Sequence, residues 1–381
     1  LINKPKVILL DEPMAALDPI VVQDIQKYIL KIQSFGCAIL ITDHQVKNLF
    51  DIVDRAYVLG EQSIIAKGTP KEILKSSDII VKINCPTTDE AKQLKSSSIV
   101  ISQLNTQKDI DIIKIFNSKK ISAFSLERVP RITRAQDMDI LSSQANLAGY
   151  HAVIDAAQEF NRVLPLFMTA AGKVTPANVL VIGAGVAGLQ AIATAKRLGA
   201  IVYATDVRIA SKEQVESLGG KFVMVEDEES KNAETKGGYA KEMSAEYQKK
   251  QEALLAETLK EMDIVICTAQ IPGRKAPLIL KKDMLDNMKQ GSVIVDLAVE
   301  SGGNCEYSQL GKVVSKNGLK IVGHANVPGR VANNASSLFS KNISNFLKLM
   351  NFEDKKKSVI NKNDEIIKAT LVCSAGKNLI K

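Results

Sequence analysis

The sequence predicts an α/β protein whose main domain is a doubly wound parallel sheet, with a second, incomplete α/β domain and a further partial α/β segment before it. Three observations support this prediction. With 381 residues, 45% of them hydrophobic and 24% charged, the chain is long enough for two or more globular cores. Short apolar runs alternate with helical stretches along the chain, as in parallel strands joined by crossover helices. One such run leads directly into a glycine-rich turn and a helix.

Composition argues against several other classes of protein. The five cysteines are scattered singly, so we predict neither a disulfide framework nor a metal site, and a reducing compartment fits best. Aromatic residues make up only 4% of a chain with net charge +8, so no nucleic-acid surface is predicted. The most apolar stretch, residues 179–195, is too short and too rich in glycine for a transmembrane helix. Because the chain begins at Leu1 without a cleavable leader, we expect a fragment of a longer reading frame.

The first element is an apolar run, residues 7–10, which predicts a buried strand. It ends in Asp11 and Glu12, the Walker B pattern, in which the aspartate holds magnesium and the glutamate orients the attacking water. A helix and a second strand follow, and His44 comes two residues after that strand. This order resembles the second half of an ABC transporter ATPase of the lipopolysaccharide-export type, with His44 as its switch histidine.

The phosphate-binding half of such an ATPase is missing from the sequence. No G-x-x-x-x-G-K-[ST] motif occurs in the chain, so we expect Asp11, Glu12 and His44 to be vestigial and ATP hydrolysis not to take place. The character of the sequence changes at the polar joint formed by residues 75–77. A gene fusion, a pseudogene and a sequence assembly error would each leave such a junction.

The glycine-rich turn lies between the apolar run Asn178–Ile182 and a helical stretch. Its residues are Gly183, Ala184, Gly185, Val186, Ala187 and Gly188. Gly183 allows the tight turn, Gly185 lets a pyrophosphate approach the backbone, and Gly188 lets the helix pack on the strand. The turn therefore predicts a dinucleotide site.

The next apolar run, Ile201–Thr205, ends at Asp206, which lies 18 residues beyond Gly188. This spacing is close to that of the acid that binds the adenosine ribose. Its carboxylate should accept the 2′-hydroxyl and repel a 2′-phosphate, which favours NAD over NADP. Val207 and Arg208 adjoin it; Arg208 could offset this repulsion, but we expect it to face solvent.

Further apolar runs complete the predicted sheet, and ligands lie beyond the carboxyl ends of such strands. The residues at the ends of two runs should approach the nicotinamide half: Thr268, Ala269, Gln270, Asp296 and Leu297. Asp296 could equally be a carboxylate that anchors a loop. The chain holds three histidines, and we expect His151 and His324 to be structural.

A polar loop, residues 131–142, precedes a long helical stretch. Its candidate functional residues are Arg131, Gln136, Asp139 and Ser142. The run 125–150 resembles the RQD loop of the NAD(H)-binding component of proton-translocating NAD(P) transhydrogenases, and the resemblance extends over residues 78–381. It implies that the four residues hold the nicotinamide and meet the partner domain, with Gln136 positioning the ring and Arg131 bridging to the NADP site. Asp139 could otherwise be only a helix-start residue.

Residues 226–245 have the composition of a mobile surface loop, with Tyr239 following two glycines. The loop resembles the mobile loop of the same family, which implies that Tyr239 lies over the nucleotide. A plain exposed loop is the alternative.

We therefore predict three segments. A partial ATPase segment spans residues 1–77, an incomplete first domain spans 78–145 plus 331–381, and the NAD-binding Rossmann domain spans 146–330. The resemblance implies a homodimeric, cytoplasmic subunit alpha of the Si-specific type, peripheral to the inner membrane and without a spanning segment of its own. Hydride would pass between its NADH and NADP held on a partner component, coupled to proton flow through a membrane component.

The scarcity of histidine, with three in the chain, agrees with this implication, because hydride exchange between two nicotinamide rings needs no general base. Three alternatives stay open. The chain could be an inactive hybrid, an ABC-derived chain whose residues 1–77 recruit an ABC-type partner, or an oxidoreductase of the alanine dehydrogenase type.

Overall fold

The structure is a computed structural model. It describes residues 5–11, 13–14, 19–42, 49, 52–60, 63–106, 108–225, 244–271, 274–350 and 360–380. The chain divides into two compact units, one made of Leu1–Leu126 with Thr370–Lys381 and the other of Glu127–Ala369. The division at residues 77, 145 and 330 that the sequence suggests stays a prediction.

The described strands are, in chain order, β1 (Val7–Asp11), β2 (Ala38–Thr42), β3 (Ala56–Gly60), β4 (Ser63–Gly68), β5 (Ile79–Val81), β6 (Ile99–Ser102), β7 (Ser122–Ser125), β8 (Phe167–Thr169), β9 (Gly172–Val174), β10 (Asn178–Ile182), β11 (Ile201–Thr205), β12 (Lys221–Phe222), β13 (Ile264–Cys267), β14 (Val293–Asp296), β15 (Lys312–Lys316), β16 (Leu319–Gly323), β17 (Leu371–Ser374) and β18 (Lys377–Asn378). The described α-helices are α1 (Pro19–Ser34), α2 (Pro70–Ser76), α3 (Thr88–Gln93), α4 (Ile110–Ser118), α5 (Ile140–Glu159), α6 (Val186–Arg197), α7 (Ser211–Ser217), α8 (Ala245–Leu259), α9 (Lys282–Leu285), α10 (Ala332–Lys348) and α11 (Glu365–Thr370). Short 3₁₀ helices span Leu126–Arg128, Thr133–Met138, Val299–Ser301 and Val327–Val331.

The first unit contains a five-stranded sheet in the order β18-β17-β7-β6-β5, in which β5, β6 and β7 are parallel. Its core includes Val100, Phe116 and Val372, all fully buried. Helices α2 and α3 each begin with a capping box, formed by threonine at the N-cap and glutamate three residues later.

The same unit contains a parallel pair, β1 and β2. Helix α1 covers one face of this pair, where Leu10 and Ile39 pack against a small core around Met14. The other face is exposed, with Leu9 72% and Leu40 57% accessible. The expectation that residues 7–10 form a buried strand is therefore wrong for every second residue, because the described part of the chain supplies a helical layer on one face only.

The second unit is built on a seven-stranded sheet in the order β12-β11-β10-β13-β14-β16-β15. All neighbouring strands are parallel except β15 and β16. The side chains of β10 alternate between two cores, Val179 and Val181 in one and Leu180 and Ile182 in the other. Strands buried on both faces explain the uninterrupted apolar runs of the sequence. The predicted α/β fold with a doubly wound Rossmann sheet is confirmed.

One of the further apolar runs of the sequence, residues 221–225, forms a strand over only part of its length. Only Lys221 and Phe222 pair with β11, at the edge of the sheet. An edge strand has a neighbour on one side alone, so its length is less constrained than that of a central strand. Among the described residues, no helix has the length and hydrophobicity that crossing a bilayer requires.

Candidate functional site

The glycine-rich turn joins β10 to α6 at the carboxyl edge of the large sheet, where the strand order switches direction. Gly183 has φ of +94°, and a Cβ there would lie 2.7 Å from Thr268 Oγ1. A Cβ on Gly188 would overlap the carbonyl oxygen of Gly183. Both positions therefore require glycine, one for its backbone conformation and one for the packing of helix on strand.

Gly185 is the N-cap of α6, and a Cβ there would meet nothing within 4 Å. The space beside it lies at the helix N-terminus, where the first backbone N–H groups have no intrahelical acceptor. The first helical residues, Val186, Ala187 and Gly188, carry these N–H groups. Such a terminus favours an anion, because unpaired donors and the helix dipole act in the same direction.

Asp206 follows β11 directly, and its side chain is only 6% exposed. Its Oδ2 accepts hydrogen bonds from the Ala184 N–H at 2.7 Å and from Arg208 Nη2 at 3.0 Å. Its Oδ1 accepts hydrogen bonds from the Arg208 backbone N–H at 2.8 Å and from Arg208 Nε at 2.9 Å. The expectation that Arg208 faces solvent is wrong, because a carboxylate buried to this degree needs a counter-charge. Val207, between the two, is 47% exposed.

The loop after β13 is tied to the glycine turn. Thr268 Oγ1 donates to the carbonyl oxygens of Gly183 at 2.9 Å and Ile182 at 3.1 Å, two alternatives for one hydroxyl proton. The Ala269 N–H donates to Asn304 Oδ1 at 3.1 Å, and Gln270 Nε2 donates to the Leu297 carbonyl at 3.0 Å. The residues predicted to approach the nicotinamide half are thus brought together at one edge of the sheet.

Asn304 is a residue that the sequence argument did not single out as functional. It is fully buried, and its Nδ2 donates to the carbonyls of Ala269 at 2.9 Å and Pro277 at 2.8 Å. Gly302 and Gly303, both at positive φ, precede it and form the turn that aims it inward. This glycine pair was the signal available in the sequence.

Asp296 ends β14 and is 1% exposed. Its Oδ1 accepts a hydrogen bond from the Ala298 N–H, and its Oδ2 accepts from the N–H groups of Asn304 and Cys305 and from the Ser308 hydroxyl. Four donors within 3.1 Å occupy both carboxylate oxygens. Of the two roles considered for Asp296, these contacts favour the anchoring of a loop.

Helix α5 runs along the sheet and extends past its carboxyl edge. At the C-terminal end of this helix, Glu159 Oε2 pairs with Lys320 Nζ near the start of β16, at 2.9 Å. Near the middle of the helix, a Cβ on Gly149 would overlap the carbonyl oxygen of Ala187, so α5 lies directly against the first turn of α6. Ser142 lies seven residues before Gly149, about 10 Å along the helix axis. The start of α5 therefore stands beyond the glycine turn.

The polar loop leads into this end of α5 through the 3₁₀ helix Thr133–Met138. Asp139 is the N-cap of α5: its Oδ1 accepts the Ser142 N–H at 3.0 Å and its Oδ2 accepts the Ser142 hydroxyl at 2.6 Å. Gln136 and Arg131 have exposed side chains. Asn342 of α10, another residue not predicted, donates from Nδ2 to the Asp137 carbonyl at 2.7 Å and so holds the loop from the other side.

Both histidines of this unit stand in a charged group around a buried carboxylate. Asp155 is 2% exposed, with Oδ2 lying 3.3 Å from His151 Nδ1 and Oδ1 lying 3.2 Å from Arg330 Nη2. Burial, and after it the charge of Arg330, lowers the pKa of His324. These surroundings agree with structural roles for the two histidines.

Three predicted site residues, Glu12, His44 and Tyr239, lie outside the described residues. Asp11 is described: it ends β1, is exposed, and accepts a hydrogen bond from the Thr42 hydroxyl of β2.

Two family models match the chain. The model of the alanine dehydrogenase/PNT C-terminal domain matches residues 152–381, and that of the alanine dehydrogenase/PNT N-terminal domain matches residues 14–148. The second match extends into the segment for which the sequence suggested a partial ATPase.

Curated relatives and a solved structure agree with these models. The first portion of the NAD(P) transhydrogenase alpha subunit of Rhodospirillum rubrum is 53% identical over 313 residues, which cover 81% of this chain and 82% of the relative. The NAD(P) transhydrogenase subunit alpha of Haemophilus influenzae is 42% identical over 380 residues, covering 100% of this chain and 72% of the relative. The crystal structure of a transhydrogenase from Sinorhizobium meliloti matches with a TM-score of 0.74 and 41% identity, covering 98% of this chain and 99% of that one.

A shorter likeness concerns the ABC-type segment. The lipopolysaccharide export ATP-binding protein LptB of Haemophilus influenzae is 47% identical over 75 residues, which are 20% of this chain and 31% of that protein. So short a match leaves the partial ATPase a prediction.

The fold, the glycine turn and the relatives agree on NAD as the cofactor. The chain therefore belongs to the alanine dehydrogenase/PNT family and, within it, groups with the NAD(P) transhydrogenase alpha subunits.

Proposed function

We propose that the chain is the NAD(H)-binding component of a proton-translocating NAD(P) transhydrogenase of the Si-specific type, which passes hydride between NADH and NADP held on a partner component. One observation carries the proposal. The glycine turn and the start of α5, with its polar loop, stand at the same carboxyl edge of one sheet, held by the contact of Gly149 with Ala187. A dinucleotide bound along this edge would reach the loop with its nicotinamide half.

In this proposal the phosphates lie beside Gly185, at the N-terminus of α6, where the N–H groups of Val186, Ala187 and Gly188 face them. Asp206 holds the adenosine ribose, next to Val207. Arg208 shares the Asp206 carboxylate, so a ribose hydroxyl would compete with one of its hydrogen bonds. Ala184 supports the same carboxylate from the turn.

The nicotinamide half would lie against Thr268, Ala269, Gln270 and Leu297, with Asp296 acting through the loop that it anchors. Tyr239 would close over the nucleotide. Asp139 and Ser142 satisfy one another through two hydrogen bonds, so their role is to fix the loop at the helix start. The side chains of Gln136 and Arg131 are exposed on this loop, and we assign to them the positioning of the ring and the contact with the NADP-bearing partner.

NAD supplies the hydride chemistry when bound, and the residues of the chain need move no proton for it. Their work is to orient the ring and to exclude water from the space between the two rings.

The partners implied by this function are an NADP-binding component, a membrane component and a second copy of the chain, in a complex at the cytoplasmic face of the inner membrane. The hairpin formed by β8 and β9 supports the second copy, because its apolar residues are exposed. Their accessible fractions are 50% for Leu166, 46% for Phe167, 74% for Met168 and 40% for Val174. Exposed apolar side chains grouped in one short segment are typical of a protein interface.

We also propose that residues 1–77 are a partial ABC ATPase segment, with Asp11, Glu12 and His44 vestigial, and that this segment is the binding site for an ABC-type partner. The open face of β1 and β2 supports this, since parallel strands in complete ATPase sheets are covered on both faces.

The first experiment is a titration of the purified chain with NADH, NADPH and ATP in parallel, repeated after deletion of residues 1–77. We expect NADH alone to bind, and to bind equally after the deletion. Binding of none of the three would show that the hybrid has lost its cleft and would contradict the proposal.

The role of the loop is tested by Gln136→Ala in the enzyme assembled with its partner components. We expect hydride transfer to slow by about tenfold or more, because the ring is no longer oriented. Binding of ADP-ribose, which lacks the nicotinamide, should not change. An equal loss of ADP-ribose binding would count against the role of Gln136.

A further inference from the structure

Two arginines of the polar region bind the short helix α11. Arg134, which lies in the loop between Arg131 and Gln136, places Nη1 2.9 Å from Asp364 Oδ2 and Nη2 3.3 Å from Glu365 Oε1. Arg128, just before the loop, donates from Nε to the Ala369 carbonyl at 3.0 Å. One arginine therefore holds the first residues of α11, and the other holds its last turn.

The acceptor of Arg134 is itself fixed. While Asp364 Oδ2 receives the guanidinium, Oδ1 accepts the backbone N–H groups of Ile366 at 2.8 Å and Ile367 at 3.2 Å, as a helix N-cap does. The side chains of Ile366 and Ile367 are fully buried, so the helix cannot shift without exposing them. Partial burial raises the pKa of Asp364, but the hydrogen bonds from Arg134 and these N–H groups outweigh it and keep the pKa below its ordinary value.

The loop is anchored at its other end by different means. The Asp139 cap fixes it to α5, and Asn342 holds the Asp137 carbonyl. Both contacts lie after Gln136 in the chain. Arg134 lies before Gln136, so its ion pairs with Asp364 and Glu365 support the first half of the loop.

The ion pairs of Arg134 contribute little to stability, but they restrict the conformation of the loop. The Arg134 side chain is 47% exposed, and ion pairs at such exposure contribute little to the free energy of unfolding. A guanidinium held by two carboxylates nevertheless fixes the direction of the backbone that carries it, because its donors form a planar fork.

We propose that Arg134 is a positioning residue for hydride transfer: by binding Asp364 and Glu365 it holds Arg131 and Gln136 in the conformation that meets the nicotinamide ring. This inference rests on the proposed function of the loop. It assigns to the C-terminal residues 364–369 a role in catalysis that they take without touching the cofactor.

The test compares three variants of the full chain, assembled with its partner components. Arg134→Met removes the guanidinium and keeps a long side chain, and Arg134→Lys keeps a cation. Lys362→Met removes an exposed cation from the C-terminal stretch that also carries Asp364 and serves as the matched control. We expect Arg134→Met to lower kcat by about tenfold while the KM for NADH stays within about twofold, since the phosphate and ribose contacts are untouched. Arg134→Lys should recover some of the lost kcat, and the control should match the wild type.

Amide hydrogen exchange of the same variants provides a readout that does not depend on activity. We expect exchange over residues 131–138 to accelerate by about twofold to fivefold in Arg134→Met, with exchange in α6 unchanged. Unchanged kcat, or exchange in the loop equal to that of the wild type, would overturn the inference. If the wild-type assembly transfers no hydride, the proposed function fails. Amide exchange of the loop still tests Arg134 in that case. Equal exchange in all three variants would refute its positioning role, and faster exchange in Arg134→Met alone would support its hold on the loop.

Discussion

Strands β1 and β10 are both parallel strands with apolar runs, and both end at a motif that suggests nucleotide chemistry. In β10, Val179, Leu180 and Val181 are fully buried between two cores. In β1, Leu9 is 72% exposed, although its neighbours in sequence are as apolar as those of Val181. The difference shows that an apolar run determines a strand, whereas the number of layers that cover it is decided by the rest of the chain.

The largest effect that would test this comparison comes from the same substitution in both strands. Val181→Asp places a charge between two cores and should lower the free energy of unfolding of its unit by about 4 kcal/mol or more. Leu9→Asp meets water and should change stability by no more than about 0.5 kcal/mol. Chemical denaturation measures both. A loss for Leu9→Asp close to that for Val181→Asp would mean that the open face of β1 is covered in solution.

Two glycines of the turn separate folding from binding within the large sheet. Gly188→Ala forces a methyl group onto the Gly183 carbonyl and should cost about 3 kcal/mol of stability. Gly185→Ala meets no protein atom, so stability should hold while NADH binds about tenfold more weakly, a change of about 1.4 kcal/mol. Thermal unfolding of both variants measures the stability, and titration with NADH measures the affinity. If Gly185→Ala bound NADH as tightly as the wild type, the placement of the phosphates at the N-terminus of α6 would be wrong.

A third pair compares the two carboxylates at the ends of their strands. Asp206→Ala should weaken NADH binding by about 1–3 kcal/mol, the cost of losing a hydrogen bond to a charged group. Asp11→Ala is the matched control on β1 and should leave NADH affinity as it is. Titration with NADH measures both, and unchanged affinity in Asp206→Ala would refute the ribose assignment.

The smallest effect concerns pH. The pKa of His324 is lowered from 6.5 by burial, and by the charge of Arg330, so the folded protein takes up this proton at lower pH than the unfolded chain. The free energy of unfolding should therefore fall as pH drops below 6.5, by at most about 1.4 kcal/mol per pH unit for one proton. Denaturation at about pH 7.5 and about pH 5.5 measures the slope. His324→Gln should reduce the slope, and an unaltered slope would assign it to other groups.

The elements of the fold that follow from sequence are those that local chemistry dictates. The runs that became β10, β11, β13 and β14 are apolar enough to be buried on both faces, and the turn needs glycine at Gly183 for its φ. The hairpin of β8 and β9 was not predicted. Its strands have three residues each and expose apolar side chains, so neither alternation nor burial marks them.

The features of the site that did not follow from sequence depend on partners far along the chain. Asn304 bonds to a residue 35 positions away, Asn342 to one 205 positions away, and Arg134 to one 230 positions away. Apart from the glycine pair before Asn304, the neighbouring sequence does not indicate their role, because their hydrogen bonds form only when the sheet and the C-terminal helices have packed. The contacts of Asp296 were likewise not predictable: the sequence places it at the end of a strand, but it does not indicate the four groups that donate hydrogen bonds to it.

The open face of β1 and β2 affects how the protein behaves at high concentration. Within the described residues, this strand pair leaves an apolar face and the outer edge of each strand without a neighbour, which makes it a template for adding further strands. We expect concentrated chains to associate through the open face and edges of β1 and β2 while their dinucleotide sites stay native. A preparation would then separate by size into species that differ in the number of chains and share the same NADH content per chain.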